Sequence, residues 1–385
     1  MTQVIDTNIV GADTSGITSR RRTDFLDQIR LTLTGLVIFH HSAIMFGAPG
    51  GWYLRYPTEH LLERVGFAVF VSVNQAFFMG FFFLLAGYFS VASFDRKGPL
   101  RFLGDRFIRL GIPILVYGYV LGPMTVALAD VRHDQPFLEN WGALVREGYF
   151  NIGPLWFALA LLLFSLAYVL WRITGPEAGC GNRFIPRQVH LLAAALGIGG
   201  LAFLIRLWVP VGQERWMLQI GYFASYVVLF AAGCATARSN WLEKIDSSTA
   251  RVWKIVAWIC GPLLFVYGVA AGAASGAPFD TSGGWTLPAL AYAFWEPFVA
   301  WGIILGMLLR FRIGSARLWA RPRWSSYVYA AYIVHPPVVV ALGLLLAHAA
   351  LPNSLSFAIV GTSATVLSFM LAWVLLQIPG AKRVL

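Results

Sequence analysis

The segment RLTLTGLVIFHH, from Arg30 to His41, places a guanidinium and two imidazoles in an otherwise apolar run. An imidazole titrates near neutrality and can take up or release a proton. A guanidinium stays cationic and grips phosphates or amides with a rigid fork of donors. Arg30 and His41 are eleven residues apart. On a helix that is three turns plus about 20°, so the two share one face, about 16 Å apart along the axis. His40 points about 100° away from it. A plainer reading also fits: Arg30 snorkels to an interface and the histidines donate to nearby carbonyls.

Other polar groups lie equally deep. Glu296 in FWEPF is about ten residues into an apolar run, and His335 in YIVHPP about nine into another. A carboxylate at such depth is a functional-site hypothesis that needs a partner. The expected partner of Glu296 is His335 or an arginine; the plainer alternative is a protonated carboxyl with one interhelical hydrogen bond. Pro336 and Pro337 are expected to break the helix after His335. The freed carbonyls then bond neighbours or line a cavity. Arg106 and Arg109, in FLGDRFIRLGIP, are three residues apart and suit a phosphate, although a purely topological role is the simpler one. Cys180, Cys234 and Cys260 are too scattered for a disulfide framework or a metal site. No Gly-rich phosphate loop, HExxH, GxSxG or CxxC pattern is present.

The elements that position these groups are membrane helices. The 385 residues are 58% hydrophobic and only 12% charged, where soluble domains sit near 45–50% and about 25%. A span needs about 20 residues. Apolar runs and their breaks give an all-α polytopic protein with about ten spans: 25–46, 66–93, 107–129, 155–172, 189–208, 217–237, 252–274, 286–309, 326–348 and 356–378. Residues 1–23 read as a disordered cytoplasmic N-terminus, 24–380 as the membrane domain and 381–385 as a cytoplasmic tail. With the N-terminus inside, 23 of the 29 Lys and Arg fall in cytoplasmic segments and 6 outside. That bias places both termini in the cytoplasm. It also accounts for the formal charge of +11 without nucleic acid as a partner.

Five blocks in order resemble the acyltransferase-3 family of integral membrane acyltransferases. FLDQIRLTLTGLVIFHH resembles its opening helix, where Asp27, Arg30 and His41 fit the Asp, Arg and His of the family pattern. FFFLLAGYFS, RFIRLGIP with Arg106 and Arg109, GPLWFALALL with Trp156, and SYVYAAYIVHPPVVV with Tyr332 and His335 resemble later blocks. FLDQIR, GYFS, WEPF and PGAKRVL look most like the branch that includes glucan-biosynthesis protein C. The tandem His40-His41 and the short outer loops depart from that branch.

The resemblance implies an O-acyltransferase of the bacterial inner membrane. Acyl-CoA, carrying acetyl or succinyl, is the co-substrate, and no cofactor is bound. The acceptor is a hydroxyl of a glycan, lipid or small molecule. His41 is the implied general base or transient acyl carrier, with Arg30 holding the donor and Asp27 orienting it. Arg106 and Arg109 add phosphate contacts. Trp156, Glu296, Tyr332 and His335 belong to the substrate cavity. A proton-coupled transporter is the competing class, since midplane ionisable groups and a Pro-interrupted helix also suit a carrier.

Overall fold

The computed structural model describes residues 14–175, 184–276, 279–314 and 324–385. Among them the fold is helical, without β-strands. Its principal helices are α1 (Thr14–Met45), α2 (Leu61–Arg106), α3 (Ile112–Val116), α4 (Gly122–Asp130), α5 (Phe137–Arg146), α6 (Trp156–Thr174) and α7 (Gln188–Arg206). There follow α8 (Phe223–Thr236), α9 (Trp241–Lys244), α10 (Ser247–Ser275), α11 (Leu287–Gly314), α12 (Val328–Leu346), α13 (Asn353–Leu375) and α14 (Ala381–Val384).

Among the described residues, eight helical runs are long and apolar enough to cross a membrane. One of them, Leu61–His133, contains both expected spans 66–93 and 107–129. Its turning point is Gly98, at φ 71° and ψ 171°, followed by Pro99. Expected span 25–46 is helical as well, but Arg30, His40 and His41 keep α1 out of that set of eight. The expected disordered N-terminus is helical from Thr14; residues 1–13 lie outside the described residues, as does most of the loop 176–187.

α1 is the central element. It packs on α2, α11, α12 and α13, while α2 packs on α8 and α6. Helices associate in lipid through close packing of small residues. Gly87 and Gly233 show this: a Cβ on Gly87 would run into the Phe230 carbonyl, and one on Gly233 into the Leu84 carbonyl. Both obstacles are backbone and cannot swing aside. Gly87→Val is therefore expected to destabilise the fold by about 1–3 kcal/mol or more, read as a lower melting temperature in detergent. An unchanged melt would mean that α2 and α8 do not approach this closely. α10 is the opposite case. Almost none of its apolar window is buried, and Val252, Ile255, Trp258, Ile259 and Leu263 face outward, as expected of a helix bathed in acyl chains.

Two π-helical turns, Phe107–Gly111 and Tyr117–Leu121, flank α3. Each precedes a Pro, Pro113 or Pro123, whose missing N–H disturbs the regular ladder. The second turn places Tyr117 fully buried. Gly118 accepts from the Asn151 amide at 3.0 Å, and a Cβ on Gly122 would meet the Asn151 carbonyl. The chain from Phe150 to Trp156 thus crosses tightly over this helix.

Candidate active site

His41 and His335 meet at the centre. His41 Nδ1 lies 2.9 Å from His335 Nε2, and His335 Nδ1 lies 2.6 Å from the Tyr332 carbonyl oxygen. A carbonyl only accepts, so His335 Nδ1 carries its proton and donates. His335 Nε2 is then the acceptor, and His41 Nδ1–H donates to it. The network assigns the remaining lone pair to His41 Nε2. That nitrogen is left with a free lone pair.

α12 does not break at its prolines. It runs unbroken from Val328 to Leu346, with Pro336 and Pro337 inside, which corrects the expected interruption. Pro336 lacks the N–H that would bond the carbonyl four residues back, and that carbonyl belongs to Tyr332. His335 Nδ1 takes the vacated place. The helix stays continuous because a side chain supplies the donor that proline removed.

The His41 ring stacks on Trp52 at 4.1 Å between centroids and 13° between planes. Trp52 belongs to the loop after α1. His41, Trp52, Trp156 and Tyr332 line a cavity of about 760 Å³. Its remaining walls come from the 150–154 and 211–222 segments and from the early part of α2. Gln75, Asn151 and Gln219 supply amides, and Tyr53, Tyr222 and Tyr292 supply phenol rings. Tyr53 OH lies 3.3 Å from Tyr117 OH and 3.4 Å from Asn151 Oδ1, and Asn151 Oδ1 also accepts from Gly153 N at 2.8 Å. Trp156 stacks on Tyr226 at 5.6 Å, whose hydroxyl accepts from Gln75 Nε2 at 3.1 Å. Tyr332 donates its hydroxyl to the Pro154 carbonyl. Aromatic faces with interspersed amides suit a polyhydroxylated ligand.

Glu296 does not reach His335. Its partner is Arg206, at the end of α7, which donates through Nη2 to Glu296 Oε2 and through Nε to the Gly221 carbonyl at 2.9 Å. Arg206 is 1% exposed and Glu296 6%. The guanidinium stacks on Tyr222 at 5.3 Å and Tyr292 at 5.0 Å, and both rings line the cavity. The ion pair therefore acts as a footing for one cavity wall. Read as sequence, Arg206 counted only as an outer-loop charge. The signal was the deep carboxylate itself, which needs a cation at its own depth.

The remaining expected residues sit elsewhere. Arg30 pairs with Asp27 at 3.4 Å, with side chains 39% and 41% exposed. Between Arg30 and His41 on the shared face, Leu33 and Val37 are buried, so Arg30 does not reach the cavity. Arg106 donates to Ser90 Oγ at 3.1 Å and lies over the Phe102 ring. Arg30 and Arg109 are near enough to repel its charge, and Arg109 donates to the Leu385 carbonyl at 3.4 Å. These cations form a cluster around the middle of α1, about three helical turns from His41. Among the described residues no group of three His, Cys, Asp or Glu is assembled to hold a metal.

This bundle, with a histidine pair at its cavity, defines a multi-pass membrane protein, and its chain matches the acyltransferase-3 family, described as Acyltransferase domain, over residues 23–376. The chain belongs to that family. It is also similar to proteins named Glucans biosynthesis protein C from Salmonella paratyphi B (strain ATCC BAA-1250 / SPB7), Salmonella heidelberg (strain SL476) and Salmonella agona (strain SL483). Each is 30% identical over 151 residues, covering 37% of this chain and 37% of the relative. The aligned stretch thus spans little more than a third of those curated relatives. No solved structure gives a significant match.

Proposed function

We propose that the protein moves an acetyl or succinyl group from cytoplasmic acyl-CoA to a hydroxyl of an acceptor held in the cavity. The carrying observation is the Tyr332 carbonyl–His335–His41 chain, which leaves His41 Nε2 unprotonated at the cavity wall. The acceptor hydroxyl gives its proton to Nε2 as its oxygen attacks the thioester carbonyl. The C–S bond then breaks, and His41 returns the proton to the CoA sulfur. While His41 is cationic, its Nδ1–H bond to His335 strengthens and spreads the charge toward the Tyr332 carbonyl.

Both termini are cytoplasmic in this reading, there are ten crossings, and the bilayer is the bacterial inner membrane. The cavity then opens to the outer side and the arginine cluster faces the donor. The donor's phosphates rest on Arg30, Arg106 and Arg109, and its thioester reaches His41 by parting the Leu33 and Val37 layer. A glycan hydroxyl is the favoured acceptor. The aromatic and amide lining supports it, and so does the similarity to proteins named for glucan biosynthesis. The carrier reading is weaker because the deep carboxylate, Glu296, is engaged by Arg206 and is not among the residues that line the cavity.

The test is CoA release from radiolabelled acyl-CoA by protein in vesicles, with label appearing in a glycan ester. Solute uptake without thioester consumption would instead establish the carrier. In the same assay Arg30→Lys is expected to raise the donor KM several-fold, because a point charge replaces a planar fork. An unaltered donor KM would move the CoA phosphates away from Arg30.

A further inference from the structure

His40 is the one imidazole of the site that the relay leaves unused. It is 5% exposed, lines the same cavity as His41, and its buried Nδ1 has no hydrogen-bond partner in the protein. Its other contacts are ring contacts, with Phe78 at 4.9 Å and with His41 at 5.7 Å. A second orphan sits across the base. Trp52 Nε1 is buried without a partner, although its indole ring lies flat on His41 and lines the cavity.

A buried polar group without a partner is costly, and a phenylalanine at 40 would pack on Phe78 without that cost. The tautomers of His41 and His335 are locked by their chain of bonds; that of His40 is not. It can therefore present an N–H on either ring nitrogen. Two side chains with an unpartnered ring nitrogen thus adjoin the His41 ring at the cavity.

We propose that His40 and the Trp52 indole N–H are the oxyanion donors of the site and bind the acyl carbonyl oxygen of the donor. This rests on the acyl-transfer reading above. As the hydroxyl oxygen bonds to the acyl carbon, the carbonyl π electrons move onto that oxygen, and the two N–H groups stabilise the charge. When the C=O bond re-forms, the C–S bond breaks and the sulfur takes the proton from His41 Nε2. Such donors act on the transition state, so their loss lowers kcat rather than ground-state affinity.

The experiment is steady-state CoA release by wild type, His40→Phe, His40→Asn and Trp52→Phe, with donor and acceptor varied separately. His40→Phe and Trp52→Phe keep a ring in each place and remove the N–H. Each is expected to lower kcat by about 10²–10³-fold with both KM values within about twofold of wild type. His40→Asn restores an amide donor and is expected to regain at least tenfold over His40→Phe. Trp52→Phe tests the assignment independently if His40→Phe does not fold. Wild-type kcat in both Phe variants overturns the assignment while leaving acyl transfer standing. A rise in acceptor KM alone also overturns it, because it makes these groups acceptor ligands. A wild-type protein that consumes no thioester overturns the transfer reading itself.

Discussion

His41→Ala is expected to lower acyl transfer by about 10²–10⁴-fold, the usual contribution of a positioned general base, with the folded protein retained. The alanine removes Nε2, the single nitrogen of the histidine pair that faces the cavity with a lone pair. His335 cannot replace it: it is 0% exposed and its own bonds run to Tyr332 and His41. The fold should tolerate the change, because the His41 ring is part of a cavity wall and not of the closely packed core. The measurement pairs initial rates of CoA release with a melting curve in detergent. Wild-type turnover from a well-folded His41→Ala protein would end the mechanism.

Arg206→Met is expected to cost about 3–5 kcal/mol of stability, the penalty for leaving a buried charge without its partner. Glu296 would remain at 6% exposure with its oxygens unanswered, and the guanidinium beneath Tyr222 and Tyr292 would be gone. Adding Glu296→Leu should recover most of that loss, since replacing both members of a buried pair is often near neutral. Chemical denaturation in detergent micelles compares the single and double variants. A single variant as stable as wild type would show that Glu296 protonates and does without the arginine. The double variant is still expected to transfer more slowly, because the wall formed by the two tyrosines loses its footing.

The helical architecture was legible because bilayer helices advertise themselves in long apolar runs. The face arithmetic on α1 put His41 deep within an apolar span, and in the structure its side chain lines the cavity. The same arithmetic placed Arg30 on that face but gave no account of Leu33 and Val37, whose burial separates the two ends. Spacing along one helix says nothing about what neighbouring helices insert between two of its residues. Arg206 was passed over for a related reason. A tally of cations by segment treats each one as a surface charge, and only the depth of Glu296 hints that one is buried. Trp52 lies in a loop, GGWY, with no periodicity to betray that its ring covers a histidine. The prolines misled because their effect on a helix was judged without asking which side chain could replace the missing donor.

Pro336 has no charge, no donor and no acceptor in its side chain, and a search for chemically able residues passes over it. Yet it withholds a backbone hydrogen from Tyr332, and His335 settles on the oxygen left over. That choice propagates across two rings and decides which nitrogen of His41 is basic. No substitution of the Tyr332 side chain can remove the anchor, because the anchor is main chain. The sensitive point lies at the imino acid: a residue that mends the helical ladder would compete with His335 for the oxygen and leave the base free to turn the wrong way round.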